Sequence, residues 1–239
     1  MYQKIVLGTA QFGMNYGISN QVGKIKTTNI TKILNFLKKE NINLIDTANN
    51  YKKSEKEIGK YCKKYKKKFN VITKYSASKI SIQDQLNLTK SNLGYYPNTI
   101  LAHSYKDYIN RNYQIEIKNI KKKYPIKYYG VSLYNPNELY KVLKVDTPDI
   151  IQVPCNILDK RFLSKKILKI LKNKSIKLHT RSVFLQGLLF MKPTQIFKKF
   201  KGVKTKFNKI LEISSKENIS ISELSLLWLF KKKEIDKII

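Results

Sequence analysis

The chain has 239 residues, 42% of them hydrophobic, and a formal net charge of +32. This length suits one large α/β domain or two small ones, and so basic a chain usually binds nucleic acid or an anionic membrane surface. However, only Arg111, Arg161 and Arg181 are arginines among the 48 cationic residues, and base-edge recognition favours arginine. We interpret the charge as a compositional bias toward lysine, and expect no specific nucleic-acid partner, only a salt-sensitive affinity for polyanions.

The two cysteines and the apolar runs bear on the compartment. Cys62 and Cys155 are far apart and match no metal-ligand or redox spacing, so we predict neither a metal site nor a disulfide. The N-terminal apolar run is too short for a secretion signal. The longest runs, 183–191 and 224–230, fall short of the roughly 20 residues that a membrane-spanning helix needs. We expect a cytoplasmic protein without a membrane segment; the sequence leaves its oligomeric state open.

Short apolar strands alternate with amphipathic helices along the whole chain. Strands are predicted at 5–7, 42–46, 69–74, 99–103, 127–132, 149–153, 175–181 and 235–239. Helices are predicted at about 27–40, 54–67, 81–93, 111–124, 136 onward, 161–171, 200–218 and 221–232. Serines are expected near three helix starts: Ser54, Ser81, and either Ser220 or Ser222.

Eight strands alternating with seven helical crossovers, at a spacing of about 30 residues, are the pattern of an α/β protein of the (β/α)₈ TIM-barrel type. No linker, low-complexity stretch or shift in composition divides the chain. We therefore predict a single barrel domain over residues 1–239.

Four polar side chains follow the second, third and fourth predicted strands. Asp46 ends the second strand and Tyr51 comes five residues later, whereas Lys74 and His103 end the next two. Taken singly, each has an ordinary explanation, such as a turn cap or a solvated lysine. In a TIM barrel, however, catalytic residues lie at the C-terminal ends of the strands. A carboxylate, phenol, amine and imidazole gathered there form a proton-donating group, since an ammonium beside a phenol lowers its pKa.

The remaining strands end in polar residues of less specific character. Ser132, Gln152 and Arg181 end the fifth, sixth and seventh strands. Alone, they would be ordinary polar strand ends. We expect the second histidine of the chain, His179, to face the helices, and Cys155 to serve packing.

Five segments in order resemble the aldo/keto reductase family. They are LGTAQFG at 7–13, IDTANNYKKSEKEIG at 45–59, GVSLYNP at 130–136, IQVPCNILD at 151–159 and RSVFLQGLL at 181–189. The similarity runs from residue 6 to residue 239, and the ordered set is highly specific.

The resemblance implies NADPH-dependent reduction of a small aldehyde, ketone or sugar-like carbonyl by a tetrad of side chains. Tyr51 would protonate the carbonyl oxygen as a hydride arrives at carbon. Lys74 would lower the pKa of Tyr51, Asp46 would pair with Lys74, and His103 would orient the carbonyl.

The resemblance also implies residues that bind NADP. Ser132 and Gln152 match positions that hydrogen-bond the nicotinamide carboxamide, and Asp46 would lie near the ribose. Arg181 stands where many members stack an aromatic ring under the nicotinamide, and its guanidinium could stack instead.

Two departures from the family pattern bear on activity. Leu133 stands where many members have an asparagine. The family usually continues past the eighth strand with a loop that grips the adenosine 2′-phosphate and a closing helix, whereas this chain stops at Ile239. The expectation is a barrel lacking its last helix and cofactor loop. The alternative function is therefore a catalytically impaired or incomplete relative with weak or no cofactor binding. The substrate and the preference for NADPH over NADH stay open.

Overall fold

A computed structural model describes residues 2–76 and 80–239, and its centre is one eight-stranded sheet. The strands are β1 Leu7–Gly8, β2 Leu44–Asp46, β3 Asn70–Tyr75, β4 Thr99–Ala102, β5 Tyr128–Ser132, β6 Ile150–Pro154, β7 Lys177–Arg181 and β8 Lys237–Ile238. They lie in sequence order, and every neighbouring pair is parallel.

The two edges of the sheet meet just before β1. Ile5 forms a parallel bridge with Ile238, and the amide of Val6 donates to the Ile238 carbonyl at 2.8 Å. The first and last strands are thereby joined, which confirms the predicted (β/α)₈ fold. The residue after β8 is Ile239.

Helices connect successive strands. They are α1 Ala10–Gly13, α2 Thr27–Lys39, α3 Ser54–Tyr65, α4 Ile82–Leu93, α5 Tyr105–Ile109, α6 Arg111–Lys123, α7 Pro136–Leu143, α8 Lys165–Asn173, α9 Pro193–Lys199, α10 Lys204–Lys216 and α11 Ile221–Phe230. The sequence missed α1, α5 and α9, because helices of seven residues or fewer are too short to show a helical period.

The predicted helix starts are confirmed at two of the three serines. Ser81 accepts from the backbone amide of Asp84, and Ser220 forms a capping box with Glu223. Ser54, however, is the first residue of α3 rather than its cap. Its hydroxyl donates to the backbone carbonyl or hydroxyl of Thr9, at 3.0 and 2.8 Å, and so ties α3 to the loop after β1.

The interior of the barrel has an apolar layer in its middle. Val6, Ile72, Leu101 and Ile150 pack together although they come from strands that are not all neighbours in the sheet. Their neighbours in sequence belong instead to the core between the sheet and the helices. Because side chains alternate along a strand, residues two positions from this layer also point inward. The inward positions at the two ends of the strands are therefore the places where polar groups can gather.

Both cysteines are free and buried. Over residues 2–76 and 80–239, none of the helices is long and apolar enough to cross a membrane.

Candidate active site

A buried ion pair lies at the C-terminal mouth of the barrel. The Lys74 ammonium donates to Asp46 Oδ1 at 2.5 Å and to the Thr47 carbonyl at 3.0 Å. Asp46 pairs in register with Ile72, two residues before Lys74, so both side chains point into the barrel from adjacent strands. Asp46 is 3% exposed and Lys74 2% exposed. The predicted pairing of the two residues is therefore present.

Burial and the carboxylate act on Lys74 in opposite directions. Burial lowers the pKa of the Lys74 ammonium, and the negative charge and hydrogen bond of Asp46 act to raise it. Burial has the larger effect, so the pKa of Lys74 lies below its usual value, and the ion pair with Asp46 limits this shift.

Gln152 completes the hydrogen bonds of the aspartate. Its Nε2 donates to Asp46 Oδ2 at 2.7 Å across the barrel, from β6 to β2. A carboxylate only accepts, so the amide nitrogen must face Asp46. The Gln152 Oε1 atom is left buried without a hydrogen-bond partner in the described part of the chain. An orphaned buried acceptor of this kind is uncommon in proteins.

Tyr51 and His103 lie beside the ion pair. Tyr51 ends a 3₁₀ turn, Asn49–Tyr51, that follows β2. The Lys74 Nζ atom is 5.4 Å from the centroid of the Tyr51 ring. The His103 ring contacts the Tyr51 ring edge to face, with centroids 6.4 Å apart and planes at 87°. All four residues expected in the tetrad thus converge at one mouth.

The pKa of Tyr51 differs from the sequence-based expectation. Burial raises it strongly, and the charge of Asp46 raises it further. The ammonium of Lys74, which was expected to lower this pKa, pairs with Asp46 as predicted, but burial and the Asp46 charge outweigh it. Tyr51 is therefore a neutral phenol at neutral pH and carries a proton that it can donate.

His103 is also neutral. Burial lowers the pKa of its imidazole, and the positive charge of Lys74 adds to the effect. Its Nδ1 atom is buried and has no hydrogen-bond partner among the described residues. A neutral imidazole offers one donor and one acceptor, so His103 can bind a polar group that enters the mouth.

The side chains of Arg181 and Ser132 are hydrogen-bonded to each other. Arg181 Nε donates to Ser132 Oγ, and Nη2 donates to the Leu133 carbonyl, both at 3.3 Å. The guanidinium carbon lies 4.2 Å from the centroid of the Tyr134 ring, a stacking contact between a cation and an aromatic face. The aromatic partner of Arg181 is thus supplied by the chain itself.

Sequence reasoning missed a buried glutamate behind the sheet, Glu55, which lies in the first turn of α3. Glu55 Oε1 accepts from the Thr73 hydroxyl at 2.7 Å and lies 3.0 Å from the Thr89 hydroxyl. The Thr89 hydroxyl also donates to Asn49 Oδ1 at 2.7 Å. Thr73 precedes Lys74, and Asn49 begins the turn that ends at Tyr51. The network therefore connects the supports of two tetrad residues.

The expectation for His179 is wrong. Leu178 belongs to the core between sheet and helices, so the alternating Lys177, His179 and Arg181 point into the barrel. His179 is 3% exposed and faces the interior rather than the helices.

Comparisons with known proteins bear on the family and the fold. The model of the aldo/keto reductase family matches residues 4–239. No curated protein matches the chain.

Solved structures of similar fold include a glycerol dehydrogenase, AKR11B4, from Gluconobacter oxydans. It is 19% identical, the match covers 98% of this chain and 81% of that one, and the TM-score is 0.70. An aldo/keto reductase from Klebsiella pneumoniae in complex with NADP and acetate is 14% identical, over 99% and 80% of the two chains, with a TM-score of 0.72.

The thermostable aldo-keto reductase Tm1743, in complex with the inhibitor epalrestat, is 18% identical over 98% and 83% of the two chains, with a TM-score of 0.72. At these identities the structures show a shared fold. Together with the family match over residues 4–239, this fold identifies the chain as a member of the aldo/keto reductase family.

Proposed function

We propose that the protein is an NADPH-dependent oxidoreductase that reduces a small aldehyde, ketone or sugar-like carbonyl, with Tyr51 as general acid. The observation that carries this proposal is the convergence of Tyr51, His103 and the buried Asp46–Lys74 pair at one mouth of the barrel. These residues come from separate strand ends.

Tyr51 donates its proton to the carbonyl oxygen. Burial keeps the phenol protonated, so the proton is in place before the reaction begins. When a hydride reaches the carbonyl carbon, negative charge develops on the oxygen, and transfer of the phenolic proton neutralises it. The phenolate that remains lies near the Lys74 ammonium, which stabilises it by opposite charge. Asp46 holds Lys74 in that position.

His103 binds and orients the carbonyl. Because its pKa is lowered, the imidazole stays neutral and brings no second positive charge next to Lys74. The edge of one ring faces the other ring, so a carbonyl oxygen hydrogen-bonded to an imidazole N–H also lies close to the Tyr51 side chain. A substrate held by two donors presents its carbonyl in one orientation.

The residues at the mouth fit a nicotinamide cofactor. The orphaned Gln152 Oε1 suits the amide N–H of a nicotinamide carboxamide, and the Ser132 hydroxyl can donate to its carbonyl. Both oxygens of Asp46 are already bound, so a ribose contact would share an occupied acceptor. When bound, the cofactor supplies the hydride. The Klebsiella pneumoniae structure in complex with NADP supports the choice of cofactor.

One observation favours the alternative of a catalytically impaired relative with weak or no cofactor binding. Arg181 already hydrogen-bonds Ser132, and its guanidinium is stacked on Tyr134. A bound cofactor must either fit beside Arg181 in this position or break its contacts with Ser132 and Tyr134. The two proposals differ in whether NADPH binds.

The test follows the hydride itself. NADPH deuterated at nicotinamide C4 is incubated with the protein and a panel of small aldehydes and ketones, and the alcohols are examined by mass spectrometry. We expect deuterium at the former carbonyl carbon. A parallel titration monitors NADPH fluorescence. No change in fluorescence would identify the impaired relative, and binding without deuterium transfer would contradict the proposed reaction.

A further inference from the structure

The barrel has a cavity at the end opposite the candidate active site. Its volume is about 630 Å³, within the range of roughly 300–1,000 Å³ that is typical of small-molecule sites. The first residue of each strand from β2 to β8 lines it. The cavity is therefore the N-terminal mouth of the barrel, separated from Asp46 and Lys74 by the apolar middle layer.

The side chains at this end differ from an ordinary barrel interior. Bulky branched residues usually fill the layers of a barrel. Here the inward positions that open β3, β5 and β7 are Asn70, Tyr128 and Lys177, whereas Ile72 and Ile150 line the cavity from the apolar layer. The result is an apolar floor with polar walls, which can hold a polar ligand.

Three lysines give the cavity a positive charge. Lys127, Lys177 and Lys237 line it, and in the part of the chain that the structure describes none of them forms an ion pair. Lys177 Nζ lies 3.9 Å from the centroid of the Tyr128 ring. The one lining carboxylate in that part of the chain, Asp236, accepts a hydrogen bond from the Leu178 amide at 2.7 Å.

A buried imidazole at this cavity has an unused polar atom. His179 lines the cavity, is 3% exposed, and its Nδ1 has no hydrogen-bond partner in the described residues. Burial, with Lys237 and Lys177 nearby, lowers the pKa of His179 to about 3, so the ring is neutral. An unpaired buried polar atom is destabilising. A hydroxyl group can satisfy it in either tautomer, since it both donates and accepts.

We propose that the N-terminal cavity binds a small organic phosphate that carries a hydroxyl group. The phosphate lies among Lys127, Lys177 and Lys237, and the hydroxyl hydrogen-bonds His179 Nδ1. The ammonium groups of Lys127 and Lys177 balance the charge of a phosphate dianion. Lys237, which also donates to the Gln3 carbonyl at 2.5 Å, adds a third positive charge. Lysine binds phosphate as a point charge.

The test uses the two histidines of the chain as reporters, because His179 lines the N-terminal cavity and His103 lies beside Tyr51 at the other mouth. Ring resonances of His179 and His103 are followed by NMR while glycerol 3-phosphate is added at about 150 mM salt, where exposed charges are largely screened. Inorganic phosphate and glycerol form separate titrations. We expect a saturable shift of His179 with glycerol 3-phosphate, weaker binding of inorganic phosphate, and no shift of His103.

Matched variants separate a site from general basicity. Lys177→Gln and Lys127→Gln should weaken glycerol 3-phosphate binding about tenfold, while Lys169→Gln on the exposed surface of α8 should leave it unchanged. Because Lys127 is exposed, Lys127→Gln should fold, and it tests phosphate binding even if Lys177→Gln does not fold. The proposal is overturned if the shift of the His179 resonances does not saturate, or if inorganic phosphate binds as tightly as glycerol 3-phosphate. It is also overturned if all three variants weaken binding of glycerol 3-phosphate by the same factor.

Discussion

The two ends of the barrel are both polar, but their lysines have different surroundings. At the C-terminal mouth the Lys74 ammonium is buried against Asp46, whose second oxygen accepts from Gln152. At the N-terminal mouth Lys177 and Lys237 stand without an ion pair among the described residues. The polar side chains at both ends point inward because side chains alternate along each strand, and the apolar middle layer separates the two ends.

The difference shows what fixes a charge in each place. A buried ion needs a partner because its loss of solvation is not otherwise compensated. That partner also fixes its position, as a reaction requires. A lysine at a water-filled mouth keeps its solvation and can exchange water for a ligand. We infer that chemistry belongs to the C-terminal end and reversible ligand binding to the N-terminal end.

The largest effect expected at the C-terminal mouth is that of removing the acid. Tyr51→Phe should lower kcat for carbonyl reduction by about 10²–10⁴-fold, the usual contribution of a general acid, with NADPH affinity retained. Steady-state kinetics and a fluorescence titration measure both. Tyr65→Phe, on the outer helix α3, is the matched control and should leave kcat unchanged. Equal activity of the two variants would mean that Tyr51 is not the acid.

The next effect concerns stability. Lys74→Met leaves Asp46 buried without its ion-pair partner and should lower the free energy of unfolding by about 3–5 kcal/mol. Arg161→Met removes the partner of Asp159 in a pair that is more exposed, and should cost no more than about 1 kcal/mol. Urea denaturation measures both. Similar losses in the two variants would show that burial of the pair has no energetic role.

A smaller effect depends on pH. Burial raises the pKa of Glu55 in the folded protein above its usual value of 4.5. The folded state therefore binds the proton more tightly, and the stability contributed by Glu55 falls as pH rises from about 4.5 through the raised pKa. Glu55→Gln removes this loss. The free energy of unfolding of the variant, relative to that of the unmodified protein, should therefore increase with pH; urea denaturation at several pH values measures it.

Asp159 supplies a control of opposite sign. Hydrogen bonding from Arg161 lowers the pKa of Asp159 in the folded protein. Its contribution is therefore present above the usual carboxyl pKa and is lost as pH falls through the lowered value. Asp159→Asn should be destabilising at neutral pH and less so in acid. The same pH trend in both variants would contradict the opposite environments of the two carboxyls.

The smallest effect expected is at Arg181. Its planar guanidinium hydrogen-bonds Ser132 and Leu133 and stacks on Tyr134, which a lysine ammonium cannot reproduce. Arg181→Lys should raise the KM for NADPH several-fold with little change in kcat. Arg161→Lys, at an exposed arginine, should change neither. A large fall in kcat would give Arg181 a part in the chemical step.

The sequence predicted the barrel and the strand-end residues because both have strong local signals. Strands repeat at a regular spacing, and Asp46, Lys74 and His103 fall where apolar runs stop. It did not predict the inward direction of His179, since a barrel strand is buried on both faces and alternation alone does not identify the inner one.

The buried role of Glu55 and the raised pKa of Tyr51 were also beyond the sequence. A glutamate in the first turn of a helix is usually exposed, and only the packing of α3 and α4 on β3 encloses Glu55. The ammonium of Lys74 was expected to lower the pKa of Tyr51, but burial and the charge of Asp46 raise it. Burial and the placement of charges follow from the tertiary structure.

The account rests on Tyr51 and Lys74 acting as one proton-delivering unit, and a double-mutant cycle tests this most directly. The kcat of Tyr51→Phe, Lys74→Met and the double variant is measured on the folded fraction with the same aldehyde. Lys74 stabilises only the phenolate of Tyr51, so the double variant should lose no more activity than Tyr51→Phe alone. Losses that multiply would show that the two residues act independently and would contradict the account.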